Sequence, residues 1–306
     1  MPSRSGMGAE TRVILIDLLV ERSEFGHGGN QEIVHPLADS GNVEVLLVTP
    51  QMQSEEAGRR AQEAGEVSIT KEDVPHWDDD FDFWAECEVE MDGNQVSFRR
   101  IAMPLHGDDA PTAEWLSRIA PDAVICSGSR RNVSIWEDWM GCGASLLRSS
   151  ISMGIPTLGI CFGHQLLCKA LGATVERADS LSNGVWDLDL TEEGEADELF
   201  ASRRSGEGGS PLVLFTHRDH VMSVPERCTL LGSTDHNGVT AVRVNGEDGV
   251  SLPAWGVQFH PEAAKARIER AYDWGHINRE ELMSFQREHD GAGILQSFAT
   301  VVTTGR

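Results

Sequence analysis

The sequence predicts an α/β fold: a doubly wound, mainly parallel twisted sheet with helices on both faces. Three observations lead there. Short apolar runs rich in β-branched residues recur at 12–20, 43–49, 123–126 and 157–160, too short for helices and suited to strands buried on both faces. Segments with apolar residues at helical spacing stand between them, about 31–40, 112–119 and 139–152, the alternation of a parallel sheet. Within 155–172 the pattern changes from strand to helix across the single residue Cys161.

The elements follow in order. A first buried strand (12–20) leads to His27-Gly28-Gly29, which lacks the further glycines and lysine of a phosphate loop and reads as a flexible connection. A helix (31–40) and a second strand (43–49) come next, then an alanine- and glutamate-rich helix (55–66). Asp78, Asp79, Asp80 and Asp82 sit between Trp77 and Trp84 among Phe81 and Phe83. This run reads as a surface insertion whose aromatics pack on the core, or as a lid or docking surface. A strand (95–103), a helix (112–119) and a strand (123–126) lead into the loop 127–134. After the helix that ends near Leu171, extended segments (173–190) precede a solvated loop with a short helix (191–209). Strands are expected at 212–215, 229–233, 238–244 and 254–260. The rest is helical in pattern, with Trp274 and Phe285 as anchors.

Composition narrows the function classes. A chain of 306 residues can bury a full core. No apolar run is long enough to span a bilayer and the first ten residues lack a signal-peptide core, so a soluble, cytoplasmic protein with no membrane partner is expected. With 49 acidic against 25 basic residues and a formal charge of −24, a basic nucleic-acid-binding face is excluded. The lysines are Lys71, Lys169 and Lys265 alone. Such a surface fits solubility in high salt, and it fits equally a genome biased toward arginine codons. The six cysteines show no paired metal spacing, so neither metal nor cofactor is expected, and a reducing compartment suits them.

The chemistry centres on two stretches. Gly159 and Gly163 flank Cys161 two residues away on either side, the spacing of a nucleophile elbow. A lone cysteine at a strand end reads as a buried structural thiol. The paired glycines and the strand-to-helix switch reverse that reading. A sharp turn projects the sulfur at the helix N-terminus, where the dipole favours a thiolate and free amides can receive an oxyanion. The second stretch, Trp255-Gly256-Val257-Gln258-Phe259-His260-Pro261-Glu262, ends an apolar run in a histidine with a carboxylate two residues on. A thiol nucleophile needs a base, and the base needs an orienting partner; His260 and Glu262 suit those roles.

Together the stretches resemble the signatures of the class I (triad) glutamine amidotransferases, over about 11–272. The resemblance implies an amidotransferase domain at 1–275, with the insertion at about 51–93, and a helical C-terminal extension at 276–306. It implies Cys161, His260 and Glu262 as catalytic residues, with the oxyanion held by the Phe162 amide and one from Gly128–Ser129. Ser129 stands where the family often has a second glycine. Gln165, Asn183, Gly184, His217 and Asp219 would line the substrate site, the His217-x-Asp219 pattern resembling the GMP synthase branch and stand-alone relatives. The family commonly has a histidine at the position of His164 too, and one residue of helix points it elsewhere, so it is not assigned as the base. The expected reaction is glutamine hydrolysis through a glutamyl-thioester. No nucleotide loop is present, so ammonia is expected to pass to a separate synthetase partner. The alternative is a stand-alone hydrolase of γ-glutamyl compounds. A catalytically silent binding module is the third reading, against which the intact triad stands.

Overall fold

The computed structural model describes residues 10–21, 26–74, 86–202, 204–275, 277–285 and 287–305. In chain order its elements are β1 (Thr11–Ile16), α1 (Gly26–Ala38), β2 (Val43–Val48), α2 (Glu55–Ala64), β3 (Val67–Ser68), β4 (Cys87–Met91), β5 (Asn94–Ala102) and α3 (Asp109–Ile119). There follow β6 (Ala123–Cys126), α4 (Asp138–Ser152), β7 (Thr157–Ile160), α5 (Phe162–Ala170), β8 (Val175–Asp187), β9 (Asp189–Leu190) and α6 (Glu192–Ala196). The chain continues through β10 (Leu212–Val221), β11 (Cys228–Thr234), β12 (Asn237–Asn245), β13 (Ser251–Val257), α7 (Lys265–Asp273), α8 (Arg279–Ser284) and α9 (Gly291–Thr304).

The main sheet runs β3-β5-β2-β1-β6-β7-β13-β12-β11-β9, with β4 also paired to β5. From β5 to β13 every pairing is parallel, while β12, β11 and β9 extend one edge antiparallel. The fold class expected from the sequence is the one observed. Strand alternation explains the two layers. Val13 and Leu15 face one core with Val45 and Leu47, against Ile33 and Leu37 of α1. Ile14 and Ile16 face the other with Leu46 and Val48, against Trp115 of α3, Leu146 of α4 and Leu166 of α5. Successive strand residues point to opposite faces, so an unbroken apolar run serves both layers. A separate ribbon, β8 antiparallel to β10, lies over the C-terminal ends of the strands around α5.

Several expectations are corrected. His27, Gly28 and Gly29 belong to the first turn of α1 rather than to a flexible connection, because burial of the α1 apolar face outweighs the poor helix propensity of glycine. β13 stops at Val257, short of His260. β10 continues through the polar stretch 216–221 to Val221, held by its pairing with β8. Trp274 is 59% exposed and anchors nothing in the core, whereas Phe285 is buried. The run from Trp77 to Trp84 lies outside the described residues. No helix of the described residues is long and apolar enough to cross a membrane.

The last helix contributes to the main core: Ile294, Leu295, Phe298, Ala299 and Val302 of α9 pack with α1 and the central strands. Phe298 meets Trp255 of β13 edge-on, ring centroids 6.1 Å apart. Phe298→Ala is therefore expected to destabilise the protein by about 3–5 kcal/mol, measured by urea unfolding. A loss below about 1 kcal/mol would show that α9 is not part of the core.

Candidate active site

The site is built where three neighbouring parallel strands end. Cys126 of β6 pairs with Gly159 of β7, and Gly159 in turn with Gly256 of β13. The loops leaving these strands carry Gly128, Cys161 and His260, so sheet order alone gathers three segments far apart in sequence.

Cys161 occupies φ 50°, ψ −99°, a sparsely populated conformation for a residue with a side chain, costing about 1–3 kcal/mol. Its N–H donates to the Val257 carbonyl at 2.8 Å, and its carbonyl accepts from the Gln165 N–H at 3.1 Å. Phe162 stacks on Trp139 of α4 at 5.7 Å and fixes the start of α5 from behind. The flanking glycines are required by close approach. A methyl on Gly159 would come within 2.5 Å of the Gly163 carbonyl oxygen, and one on Gly163 would overlap the Cys126 carbonyl. The first N–H groups of α5 have no partner within the helix, and Cys161 is buried at the N-cap beside them.

His260 and Glu262 are buried, with Nδ1 of the imidazole 2.8 Å from Oε1 of Glu262. The His260 backbone N–H donates to the Leu214 carbonyl of β10 at 2.8 Å, anchoring the turn beyond β13. Nε2 is buried without a well-formed hydrogen bond. Burial pulls the imidazole down, but electrostatic attraction from Cys161 and Glu262, with the hydrogen bond to Glu262, outweighs it and holds His260 well above its usual value. A methyl on Gly128 would lie 2.7 Å from His260 Cε1 and 3.7 Å from Cys161 Cβ. The imidazole and the thiol-bearing carbon thus face each other across a position that only glycine can fill.

The other residues singled out from the sequence divide into two groups. Ser129, Phe162, Gln165, His217 and Asp219 line a cavity of about 250 Å³ with Cys161. Asn183 and Gly184 sit on β8 opposite Thr216 and Phe215, near this cavity but not among its lining residues. Gln165 donates to the Asp219 carbonyl at 2.9 Å and to Gln258 Oε1 at 3.1 Å. The Asp219 carboxylate accepts from the Ser134 N–H at 2.7 Å and hydroxyl at 2.9 Å, tying β10 to the loop that carries Gly128. His217 shares Nδ1 with the Asp219 carbonyl at 3.1 Å, which makes that nitrogen the donor and Nε2 an acceptor. Burial, aided by the charge of His220, pushes His217 down to about 3, so it is a neutral acceptor. His164 turns away to the Val239 carbonyl at 3.0 Å.

Residues that the sequence did not single out complete the site. Ser134 and Gln258 are positioned by contacts between distant elements, for which no local signal exists. Arg130, Arg131, Arg177 and Arg218 also line the cavity. Arg130 and Arg218 are next to residues already singled out and Arg131 lies one further along the same loop, so only Arg177 depends on strand register, which sets it opposite Asp219. Among the described residues no group of three or more His, Cys, Asp or Glu is arranged to hold a metal ion.

The family model for "Glutamine amidotransferase class-I" matches residues 85–272. The chain belongs to that family. This amidotransferase is 32% identical over 158 residues to a glutamine-hydrolysing GMP synthase from Gloeobacter violaceus, covering 51% of this chain and 25% of the relative. It is also 32% identical over 175 residues to one from Staphylococcus epidermidis, covering 55% and 30%. The matches thus span less than a third of those relatives. Among solved structures, a glutamine amidotransferase from Thermotoga maritima superposes with a TM-score of 0.54 at 17% identity, covering 95% of this chain and 97% of that one. A second, from Methylobacillus flagellatus, gives 0.53 at 13% identity, covering 98% and 94%. These two share the fold.

The raised His260 can be tested directly. In ring NMR spectra of the amidotransferase, His260 is expected to titrate above the ordinary 6.5. Glu262→Gln should lower the value by removing one source of attraction. Because the folded value lies above the unfolded one, the stabilisation is complete below pH 6.5 and is lost as pH rises through the folded value. A His260 that titrates at or below 6.5 would contradict this electrostatic description.

Proposed function

We propose that this amidotransferase hydrolyses the side-chain amide of glutamine through Cys161, His260 and Glu262. The observation that carries this reading is the meeting of His260 and Cys161 at Gly128, with Nδ1 of the imidazole on the Glu262 carboxylate. The active domain on this reading is 1–275, with the helical segment 276–306 folded back onto it.

The steps follow from the groups present. His260 takes the Cys161 proton as the sulfur attacks the amide carbon and the C=O electron pair moves to oxygen. The amide of Phe162 and one from Gly128–Ser129 stabilise this oxyanion. As the tetrahedral intermediate collapses, the C–N bond breaks and His260 protonates the leaving ammonia, leaving a glutamyl-thioester on Cys161. Water then attacks with His260 taking its proton, the C–S bond breaks, and glutamate and the thiol are released. Glu262 fixes the imidazole tautomer and favours its charged form. Gln165 and the acceptor Nε2 of His217 hold the amino-acid end of the substrate, whose ammonium is a donor. Asn183 and Gly184 act from the ribbon behind, as backbone contributors.

With glutamine the released amine is ammonia, and a separate synthetase subunit would consume it, consistent with the similarity to glutamine-hydrolysing GMP synthases. A second reading is hydrolysis of larger γ-glutamyl amides by the same steps. The four arginines at the mouth of the cavity favour it where the departing amine is anionic.

Cys161→Ala is expected to abolish glutaminase activity without loss of the folded state, measured by glutamate release and circular dichroism. His260→Ala should lower turnover by roughly 10²–10⁴-fold, and Glu262→Gln by less. Activity retained in Cys161→Ala would reject the assignment.

A further inference from the structure

We propose that the mouth of the active-site cavity is a binding site for carboxylates on the amine side of the scissile bond. The preferred substrate is then a γ-glutamyl compound whose amine is itself an anionic amino acid. The inference rests on the γ-glutamyl hydrolysis by Cys161 proposed above and adds the class of leaving group.

Charge distribution carries the argument. The chain has 25 basic residues against 49 acidic ones, yet four arginines and one carboxylate line this cavity. That carboxylate, Asp219, is buried with both oxygens engaged by Ser134, so it does not neutralise Arg177 or Arg218. Arg130 and Arg131 enter from the loop beyond β6, Arg177 from β8 and Arg218 from β10. All four are exposed. Arg131 also reaches Glu137 at 3.4 Å. Two facing segments therefore present planar guanidinium groups across one opening, the geometry suited to bidentate recognition of carboxylates.

Glutamine alone does not account for this arrangement. It carries a single α-carboxylate, which one guanidinium can hold, and its hydrolysis releases ammonia, which leaves the other arginines without a group to hold. A γ-glutamyl amino acid reaches further. With the γ-carbonyl at Cys161 and the amino-acid end at Gln165 and His217, its second half extends toward the opening, and its carboxylates meet the arginines. A positive mouth on a negative protein also draws anionic substrates against the overall field. The reaction balances as ordinary hydrolysis: the C–N bond breaks, His260 protonates the departing amino group, and water releases glutamate from the thioester.

The test compares γ-glutamyl-glutamate with uncharged γ-glutamyl-alaninamide. For the wild-type chain, kcat/KM is expected to favour the anionic peptide by about tenfold or more, the scale of one charge-assisted contact. In Arg177→Gln/Arg218→Gln that ratio should fall toward unity. Calorimetric binding of both peptides to Cys161→Ala, with and without the arginine changes, reads the mouth independently of turnover. Equal affinity for the two peptides, or a ratio unmoved by the arginine changes, overturns the inference. Preferential binding of the anionic peptide without turnover by the wild type would keep the carboxylate site and reject the hydrolysis on which it builds.

Discussion

The carbonyl groups of Cys126 and Gly163 press against backbone that has no side chain, at Gly163 and Gly159 respectively. This contact lets α5 start directly from the end of β7 without an intervening loop, and it holds Cys161 in its strained conformation. The strain persists because the surroundings over-determine it: a strand hydrogen bond from the Cys161 N–H, a helix bond to its carbonyl, and the Phe162 ring locked on Trp139. With β6 and β13 as the neighbours of β7, any shift of the elbow would also displace the Gly128 loop and the turn to His260. The position of the thiol is thus a property of the sheet.

Electrostatics then separates this thiol from the other five. Burial raises Cys87, Cys142 and Cys228, the last two to about 11 and about 12, and it pushes Cys126 and Cys168 well above the ordinary thiol value. Cys168 has a neighbouring histidine, His164, but burial lowers that ring to about 4. Only Cys161 faces a histidine whose proton affinity its surroundings raise, which suits that ring to take the thiol proton. A buried imidazole–carboxylate pair is costly to assemble, and placing one at the strand ends is a burden that a purely structural cysteine would not require.

What was legible in the sequence was what is local. The alternation of apolar runs revealed the layered sheet because each strand residue must satisfy one of two cores. The elbow and the His260–Glu262 pair were legible because a turn and a two-residue spacing carry their own geometry. What was missed depends on contacts across the chain. The stretch 216–221 looks like a polar loop, but Thr216 to Asp219 line the cavity while β8 supplies the backbone partners. Phe298 carries no local mark of meeting Trp255. Asp17 and Arg100, paired at 3.0 Å and buried, join β5 to the end of β1, and neither announces the other at that separation. Arg177 reaches the cavity by strand register alone.

The central claim is that one cysteine of six is a nucleophile toward a γ-glutamyl carbonyl. The direct measurement is intact-mass and peptide-mapping analysis after incubation with a chloroketone analogue of glutamine. The account predicts one adduct per chain, on Cys161, with glutamine protecting against it. Adducts on Cys87 or Cys228 in its place, or labelling that glutamine does not slow, would contradict it.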